Sequence, residues 1–239
     1  MSRAVSAPRT EIFADPAALA SHAADWIAGL IAGHEGSFRI ALSGGSTPRL
    51  LFGELSLRPI DWSKVVFYWI DERFVPPDHP DSNLRMARET LLSRIDVKPE
   101  QIHPMPTDGD PGDAARAYEA LLKADYGAET FDPARPLFDF VLLGLGGDGH
   151  ICSLFPGSPV LEERTRWVAA VPTGRPEVRL TLTYPCVESS RVTAFLVAGA
   201  DKAEAVAKVR AGDASLPGGR LKPQGELVWL LDSQAAKLL

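Results

Sequence analysis

Short apolar runs alternate with stretches of helical periodicity along this chain. Apolar runs bounded by turn residues are typical of strands that are buried on both faces of a sheet. The runs predicted as strands cover residues 38–42, 65–70, 138–143, 192–198 and 227–231. The segments predicted as helices cover residues 16–32, 49–55, 84–93, 111–125 and 201–209, with a short helix at the end of the chain. This alternation indicates an α/β fold with a mostly parallel sheet and helices on both faces.

The first predicted helix has a clear start signal. Asp15 can cap its N-terminus, and Pro16 suits the first helical turn. Leu19, Trp26 and Leu30 follow helical spacing, so we expect one face of this helix to lie on the sheet. No internal repeat and no linker rich in Gly or Ser divides the chain, which predicts a single domain over residues 1–239.

The strand predicted at residues 38–42 leads into a turn of small residues. These residues are Ser43, Gly44, Gly45, Ser46 and Thr47, followed by Pro48. Such a turn can direct several backbone N–H groups at one point, and the next helix adds positive partial charge at its N-terminus. With the hydroxyl groups as further donors, the turn suits a phosphate. It matches neither the GxxxxGK[ST] loop nor the GxGxxG turn. A tight turn with a helix cap is the alternative for this segment alone.

Two cationic side chains follow other predicted strands. Arg73, in the sequence Asp71-Glu72-Arg73, comes after the second strand, and Lys202 opens a helix after the strand at residues 192–198. The carboxyl ends of parallel strands meet at one edge of the sheet, where ligands bind in open α/β folds. An arginine there can hold a phosphate through two hydrogen bonds. The alternatives are a surface salt bridge for Arg73 and a solvated side chain for Lys202.

A glycine-rich loop follows the buried strand at residues 138–143. Its glycines allow sharp turns and close approach of the backbone to a ligand, and between them stand Asp148 and His150. A neighbouring carboxylate can influence the tautomer and charge of an imidazole, so His150 is the first candidate for chemistry. Its alternative is a histidine that caps the next element. Cys152 is expected to be a buried thiol, and the nucleophile motif GxSxG is missing.

Composition limits the classes of partner. The chain has 239 residues, of which 45% are hydrophobic, and a net charge of −6. An acidic chain is a poor candidate for general nucleic-acid binding, although a local pocket can still attract an anion. The first ten residues lack the apolar core of a secretory signal, and no apolar run approaches the ~18 residues of a membrane span. We therefore expect a cytoplasmic protein without membrane contact, with Cys152 and Cys186 reduced. A disulfide between these two cysteines is the alternative.

Taken together, several segments make the chain resemble the 6-phosphogluconolactonase family. The matching segments are Leu42-Ser-Gly-Gly-Ser-Thr-Pro48, Asp71-Glu-Arg-Phe-Val-Pro76, Asp81-Ser-Asn83, Gly144-Leu-Gly-Gly-Asp-Gly-His150, Ser153-Leu-Phe-Pro-Gly157 and Gly199-Ala-Asp-Lys202. The resemblance implies a Rossmann-like fold of the nagB/RpiA type. It also implies hydrolysis of 6-phosphogluconolactone in the oxidative pentose phosphate pathway, with no metal or redox cofactor.

The resemblance also assigns roles within the site. It implies that His150 is the general base for the hydrolytic water and that Asp148 is its partner. It implies that Arg73, Lys202 and the turn at residues 43–47 bind the 6-phosphate of a sugar-phosphate lactone.

Two other functions share this fold. Glucosamine-6-phosphate deaminases typically carry a glutamate five positions after the loop histidine, where this chain has Phe155, and Asp-Glu-Tyr where it has Asp71-Glu72-Arg73. Both departures favour the lactonase, whereas Ile151-Cys152 replaces a commoner Thr-Ala of that family. Sugar-phosphate sensors commonly add a DNA-binding helix-turn-helix, for which the residues before the first predicted strand are too few.

Overall fold

The computed structural model describes residues 8–239, and the first seven residues lie outside the description. Part of the segment used to predict the absence of a secretory signal therefore falls outside it. The prediction of one domain over residues 1–239 stays a prediction.

Within residues 8–239, ten strands form two sheets. In chain order they are β1 (Arg9–Phe13), β2 (Phe38–Leu42), β3 (Val65–Trp69), β4 (Asp71–Arg73), β5 (Ile102–His103), β6 (Phe138–Leu143), β7 (Val168–Val171), β8 (Arg179–Leu182), β9 (Ser190–Val197) and β10 (Glu226–Asp232). The larger sheet has seven strands in the order β1, β10, β9, β6, β2, β3, β5, and every neighbouring pair is parallel. All residues of β6 are buried, so both faces of the sheet are covered at its centre. The predicted α/β class is confirmed.

Six α-helices accompany these strands in the described part of the chain. They are α1 (Pro16–Ala32), α2 (Ser46–Leu55), α3 (Asn83–Thr90), α4 (Pro111–Tyr126), α5 (Tyr184–Glu188) and α6 (Ala203–Arg210). The start predicted for α1 is confirmed, because the Asp15 carboxylate accepts hydrogen bonds from the N–H groups of Ala17 and Ala18. Leu19 of α1 is buried, and Trp26 and Leu30 are half-buried against the core, so the face predicted from the apolar spacing does lie on the sheet.

The smaller sheet was not predicted. Its strands β4, β8 and β7 are antiparallel and only three or four residues long. Residues 71–73, expected in a polar loop, form β4 and pair with residues 179–181. Short strands whose partners lie so far along the chain leave little local pattern.

Two helix predictions were wrong. α2 begins at Ser46, so Ser46, Thr47 and Pro48 belong to the helix and not to the turn before it. Proline is tolerated there because the first turn of a helix does not use its N–H groups. The residues after β10 form turns and not the expected short helix. The Asp232 carboxylate accepts the Ala235 N–H and so favours a local turn.

The order of the strands creates a crevice at the centre of the large sheet. From β2 the chain continues outward to β3, whereas from its neighbour β6 it continues the other way, to β9. The loops that leave these two strands therefore diverge, which is where open α/β sheets bind their ligands. Within residues 8–239, no helix is long and apolar enough to cross a membrane.

Candidate active site

A cavity of about 250 Å³ opens at this crevice. Loops after β2, β3, β6 and β9 supply its walls. Eight of the predicted site residues line it: Ser43, Gly44, Gly45, Ser46, Thr47, Arg73, His150 and Lys202. The remaining one, Asp148, lies behind His150 and contacts its ring. The structure thus brings together every predicted site residue.

The N-terminus of α2 faces this cavity. Gly45 precedes the helix with a φ of +111°, a conformation that favours glycine, and no side chain caps the helix. The first intrahelical bond is donated by the Arg49 N–H, and Pro48 has no N–H group. The N–H groups of Ser46 and Thr47 therefore remain for a ligand, at the positive end of the helix dipole. This geometry suits an anion.

Gly44 allows a close approach between two loops. A Cβ atom at this position would lie 1.8 Å from the Asn83 Oδ1 atom. Asn83 is itself anchored, because its side-chain amide donates to the Asp71 carbonyl oxygen and its backbone N–H donates to the Glu72 carboxylate. A side chain at Gly44 would therefore push the turn that follows β2 away from Asn83.

Glu72 ties β4 to the start of α3. Its buried carboxylate accepts the N–H groups of Arg73, Asn83 and Leu84 at 2.7–2.8 Å. Burial raises the pKa of Glu72, and these N–H groups act in the opposite direction. The contacts fix the strand that carries Arg73 against the helix that carries Asn83.

The two predicted cations reach the cavity from opposite sides. The Arg73 Nη1 atom donates to the Asp81 carbonyl oxygen at 2.6 Å, so its guanidinium bonds to a backbone oxygen and not to the adjacent Glu72. The Lys202 Nζ atom lies 3.1 Å from the exposed carboxylate of Asp201. Neither cation is buried, which leaves both available to an anionic ligand.

A third cation lies beside Arg73. Arg179 is its partner across β4 and β8, so both side chains lie on one face of the small sheet. Arg179 is buried and pairs with Glu177 at 3.1 Å. Burial, followed by repulsion from Arg73, lowers the pKa of the Arg179 guanidinium. Its charge adds to the positive potential on the Arg73 side of the cavity.

His150 is held by a carboxylate. The Nδ1 atom of its ring lies 2.5 Å from Asp148 Oδ1, and the Arg175 guanidinium donates to Asp148 Oδ2 at 3.0 Å. Burial acts to raise the pKa of Asp148, but hydrogen bonds and charge from His150, together with Arg175, outweigh it and lower the pKa. An ionised Asp148 accepts a hydrogen bond from an Nδ1–H group, and in a neutral ring with that tautomer Nε2 is the acceptor.

Neighbouring residues restrict the orientation of the His150 ring. A Cβ atom at Gly146 would lie 2.0 Å from His150 Nδ1. The Phe155 ring packs 5.0 Å from the His150 ring, centre to centre, and the Arg175 guanidinium lies 4.6 Å from the centre of the Phe155 ring. Phe155 was singled out from the sequence only as the residue that replaces the deaminase glutamate. Arg175 was not predicted, because nothing in the local sequence links residue 175 to the loop.

Cys152 lines the cavity as an unreactive thiol. It is buried, and burial raises the pKa of the thiol well above its usual value, so little nucleophilic thiolate forms. Its φ of +49° is unusual for a residue with a side chain. Cys152 and Cys186 are both free, as expected.

Asp71 and Asn83 also line the cavity, and neither was assigned a role from the sequence. Ser153 donates to the Asp71 carboxylate at 2.8 Å, although the two residues are 82 positions apart. The only sequence signal was that these residues belong to motifs shared with the family. Among residues 8–239, no group of three or more His, Cys, Asp or Glu residues is placed to hold a metal ion.

Comparisons with known proteins agree with this fold. The family model for glucosamine-6-phosphate isomerases/6-phosphogluconolactonase matches residues 14–229. A 6-phosphogluconolactonase of Mycobacterium tuberculosis is 42% identical over 243 residues, covering 96% of this chain and 97% of the relative. The structure of a 6-phosphogluconolactonase from Trypanosoma cruzi has a TM-score of 0.85 and 30% identity, covering 97% of both chains.

A structure from the other branch of the family shows the extent of the shared fold. A monomeric glucosamine-6-phosphate deaminase of the NagB superfamily has a TM-score of 0.83 at 23% identity, covering 97% of this chain and 100% of its own. This likeness confirms the predicted nagB-type fold, and the family resemblance inferred from the motifs is confirmed as well. The chain belongs to the family of glucosamine-6-phosphate isomerases and 6-phosphogluconolactonases.

Proposed function

We propose that this chain hydrolyses 6-phospho-D-glucono-1,5-lactone to 6-phospho-D-gluconate, the lactonase step of the oxidative pentose phosphate pathway. One observation carries the proposal. A single cavity of about 250 Å³ contains an uncapped helix N-terminus, two cations and an imidazole held by a carboxylate. A phosphorylated lactone needs an anion site and a base, and groups suited to both line this one cavity.

His150 acts as the general base in this proposal. With a proton on Nδ1 directed at Asp148, its Nε2 atom takes a proton from water as the water oxygen bonds to the lactone carbonyl carbon. The bond between that carbon and the ring oxygen then breaks. The proton on Nε2 passes to the departing ring oxygen, which yields the hydroxyl group and the carboxylic acid of the product. The acid then loses its remaining proton to solvent and becomes the carboxylate. No covalent intermediate is needed, which agrees with a cysteine whose thiol is protonated.

The phosphate end positions the substrate. The N–H groups of Ser46 and Thr47, with Arg73 and Lys202, hold the 6-phosphate by charge-assisted hydrogen bonds. Fixing that end places the carbonyl carbon near His150 and lowers the entropic part of the barrier. The N–H groups of Gly146 and Gly149 bond to carbonyl oxygens within their own loop, so other donors must stabilise the developing oxyanion.

Phe155 favours lactone hydrolysis over deamination. The deaminases of this fold use a glutamate at that position of the loop, beside the histidine. Here an aromatic ring packs against His150 and can neither give nor accept a proton. Ring opening of an amino sugar would lack that acid-base group.

The test compares two substrates. Fresh 6-phosphogluconolactone is followed by acid release at constant pH, and glucosamine 6-phosphate is followed by ammonia release, each against an enzyme-free control because lactones hydrolyse spontaneously. We expect rapid acid release and no ammonia. Ammonia release with no acceleration of lactone hydrolysis would refute the lactonase assignment. An Asp78→Asn protein is a suitable control variant, because Asp78 is exposed and does not line the cavity.

A further inference from the structure

One carboxylate in the cavity takes no part in the mechanism above. Asp71 lines the cavity with 8% of its surface exposed. Its side chain forms no ion pair within residues 8–239. The charge of Asp71 acts to raise the pKa of the Arg179 guanidinium, but that guanidinium pairs with Glu177 and leaves the Asp71 oxygen atoms free of a cationic contact. A buried carboxylate is stable only where hydrogen-bond donors reach its oxygen atoms.

The protein supplies only part of those donors. Ser153 donates to Asp71 Oδ2 at 2.8 Å, whereas Oδ1 has a contact of only 3.5 Å, from the amide of Asn83. An ionised carboxylate has about four acceptor positions. Asp71 therefore has acceptor capacity beyond its protein contacts at the wall of the cavity.

The position of Asp71 determines which ligand group can use that capacity. Asp71 and Arg73 are two residues apart on β4, so their side chains lie on the same face, about 7 Å apart along the strand. A phosphate held by Arg73 would be repelled by Asp71, because both groups are anionic. The hydroxyl groups of the sugar ring are neutral donors and lie at a comparable distance from the 6-phosphate.

We propose that Asp71 is a specificity-determining residue, which accepts a hydrogen bond from a ring hydroxyl of the lactone. This inference rests on the proposed function and adds to it the recognition of the sugar. Asp71 and Arg73 then define the two ends of the bound molecule along β4. Phosphate is excluded from the ring end by charge, and the hydroxyl group is selected by the carboxylate.

The experiment pairs a variant with altered substrates. Wild type and Asp71→Asn are compared on 6-phosphogluconolactone and on its 2-deoxy, 3-deoxy and 4-deoxy forms, made by oxidising the corresponding deoxyglucose 6-phosphates. Losing a hydrogen bond to a charged group should lower kcat/KM of Asp71→Asn on the parent lactone about 10- to 100-fold, mainly through KM. Wild type should lose a similar factor on at least one deoxy lactone, and on that substrate the variant should lose little more.

Two results would overturn the proposal. One is an equal loss for Asp71→Asn on the parent and all three deoxy lactones, which would indicate a structural or general electrostatic role. The other is a wild type that hydrolyses all three deoxy lactones as well as the parent, a result that decides the question even if Asp71→Asn does not fold. The control is Asp78→Asn, which removes an exposed charge from the same segment. A failure of the proposed function is distinguishable, because wild type would then not accelerate hydrolysis of the parent and both proposals would fall.

Discussion

The two ends of the cavity are built in different ways. The end that we propose binds phosphate, here called the phosphate end, draws on three separate chain segments, and its candidate donors are backbone N–H groups and partly exposed cations. The other end comes from one loop, in which His150 is held at 2.5 Å by Asp148 and Gly146 leaves no space for a side chain. Charge can be supplied by several groups in many geometries, whereas proton transfer needs one atom in one place. We therefore expect loss at the phosphate end to be graded and loss at the His150 end to be severe.

The largest effect is expected from removing the proposed base. His150→Ala should lower kcat by about 10²- to 10⁴-fold, the usual contribution of a general base. His150→Asn should fail similarly, because the amide approximates the shape but cannot take the proton. Steady-state rates are measured after subtraction of the enzyme-free rate at the same pH.

Binding of 6-phosphogluconate to His150→Ala, measured by calorimetry, is the control. It should be largely intact, since the phosphate contacts lie elsewhere in the cavity. If a folded His150→Ala protein keeps most of its corrected kcat, His150 is not the base, and the chemistry is not confined to its end of the cavity.

At the phosphate end we expect a smaller effect, and we expect it in KM and not in kcat. Arg73→Ala or Lys202→Ala should raise KM for the phosphorylated lactone about 10- to 100-fold, because each removes a charge-assisted contact. The wild type should act weakly on unphosphorylated gluconolactone, and both variants should match it there. Equal losses on both substrates would instead indicate that these residues support the fold.

Asp148→Asn should have a milder effect than loss of His150. We expect a fall of about tenfold in kcat, since the residue orients the ring without touching the reacting atoms. The pKa of Asp148 is lowered in the folded protein, so its contribution to stability is present above its unfolded pKa of ~3.9 and is lost as the pH falls through the folded value. Thermal unfolding at pH 7 and at successively lower pH should therefore show the difference between wild type and Asp148→Asn shrinking. If the difference in Tm between the two proteins stays constant with pH, the ionised Asp148 carboxylate does not stabilise the folded protein.

The smallest effect is expected at Cys152, which lies at the wall shared by both ends. Cys152→Ser should keep kcat and KM within about twofold, because the raised thiol pKa leaves no nucleophile to remove. A loss comparable to that of His150→Ala would reveal chemistry at the sulfur, which alkylation followed by mass spectrometry would then test.

The contrast between the two ends also appears in what the sequence could predict. The His150 loop follows β6, whose apolar run and flanking turn residues predicted its bounds correctly, so the loop could be located from local pattern. The turn of small residues that begins at Ser43 was located in the same way, although the start of α2 was placed too late. The contact between Asp71 and Ser153 depends on the short strand β4 and on loops that meet only in three dimensions. Arg175 was missed for the same physical reason, since its contact with Asp148 crosses 27 positions of loop and strand.

The divergence of the chain at β2 and β6 has a consequence for stability as well as for location. A ligand in this cavity touches segments from residue 43 to residue 202, so it cannot stay bound when the large sheet opens. Its binding free energy therefore adds to the free energy of unfolding of the whole domain, and not only to that of opening one loop. At a hundred times its dissociation constant, 6-phosphogluconate should add about 2.7 kcal/mol to the free energy of unfolding, or roughly 5 to 10 °C to Tm. Where sugar phosphate is abundant, the protein should resist heat and proteolysis better than it does alone.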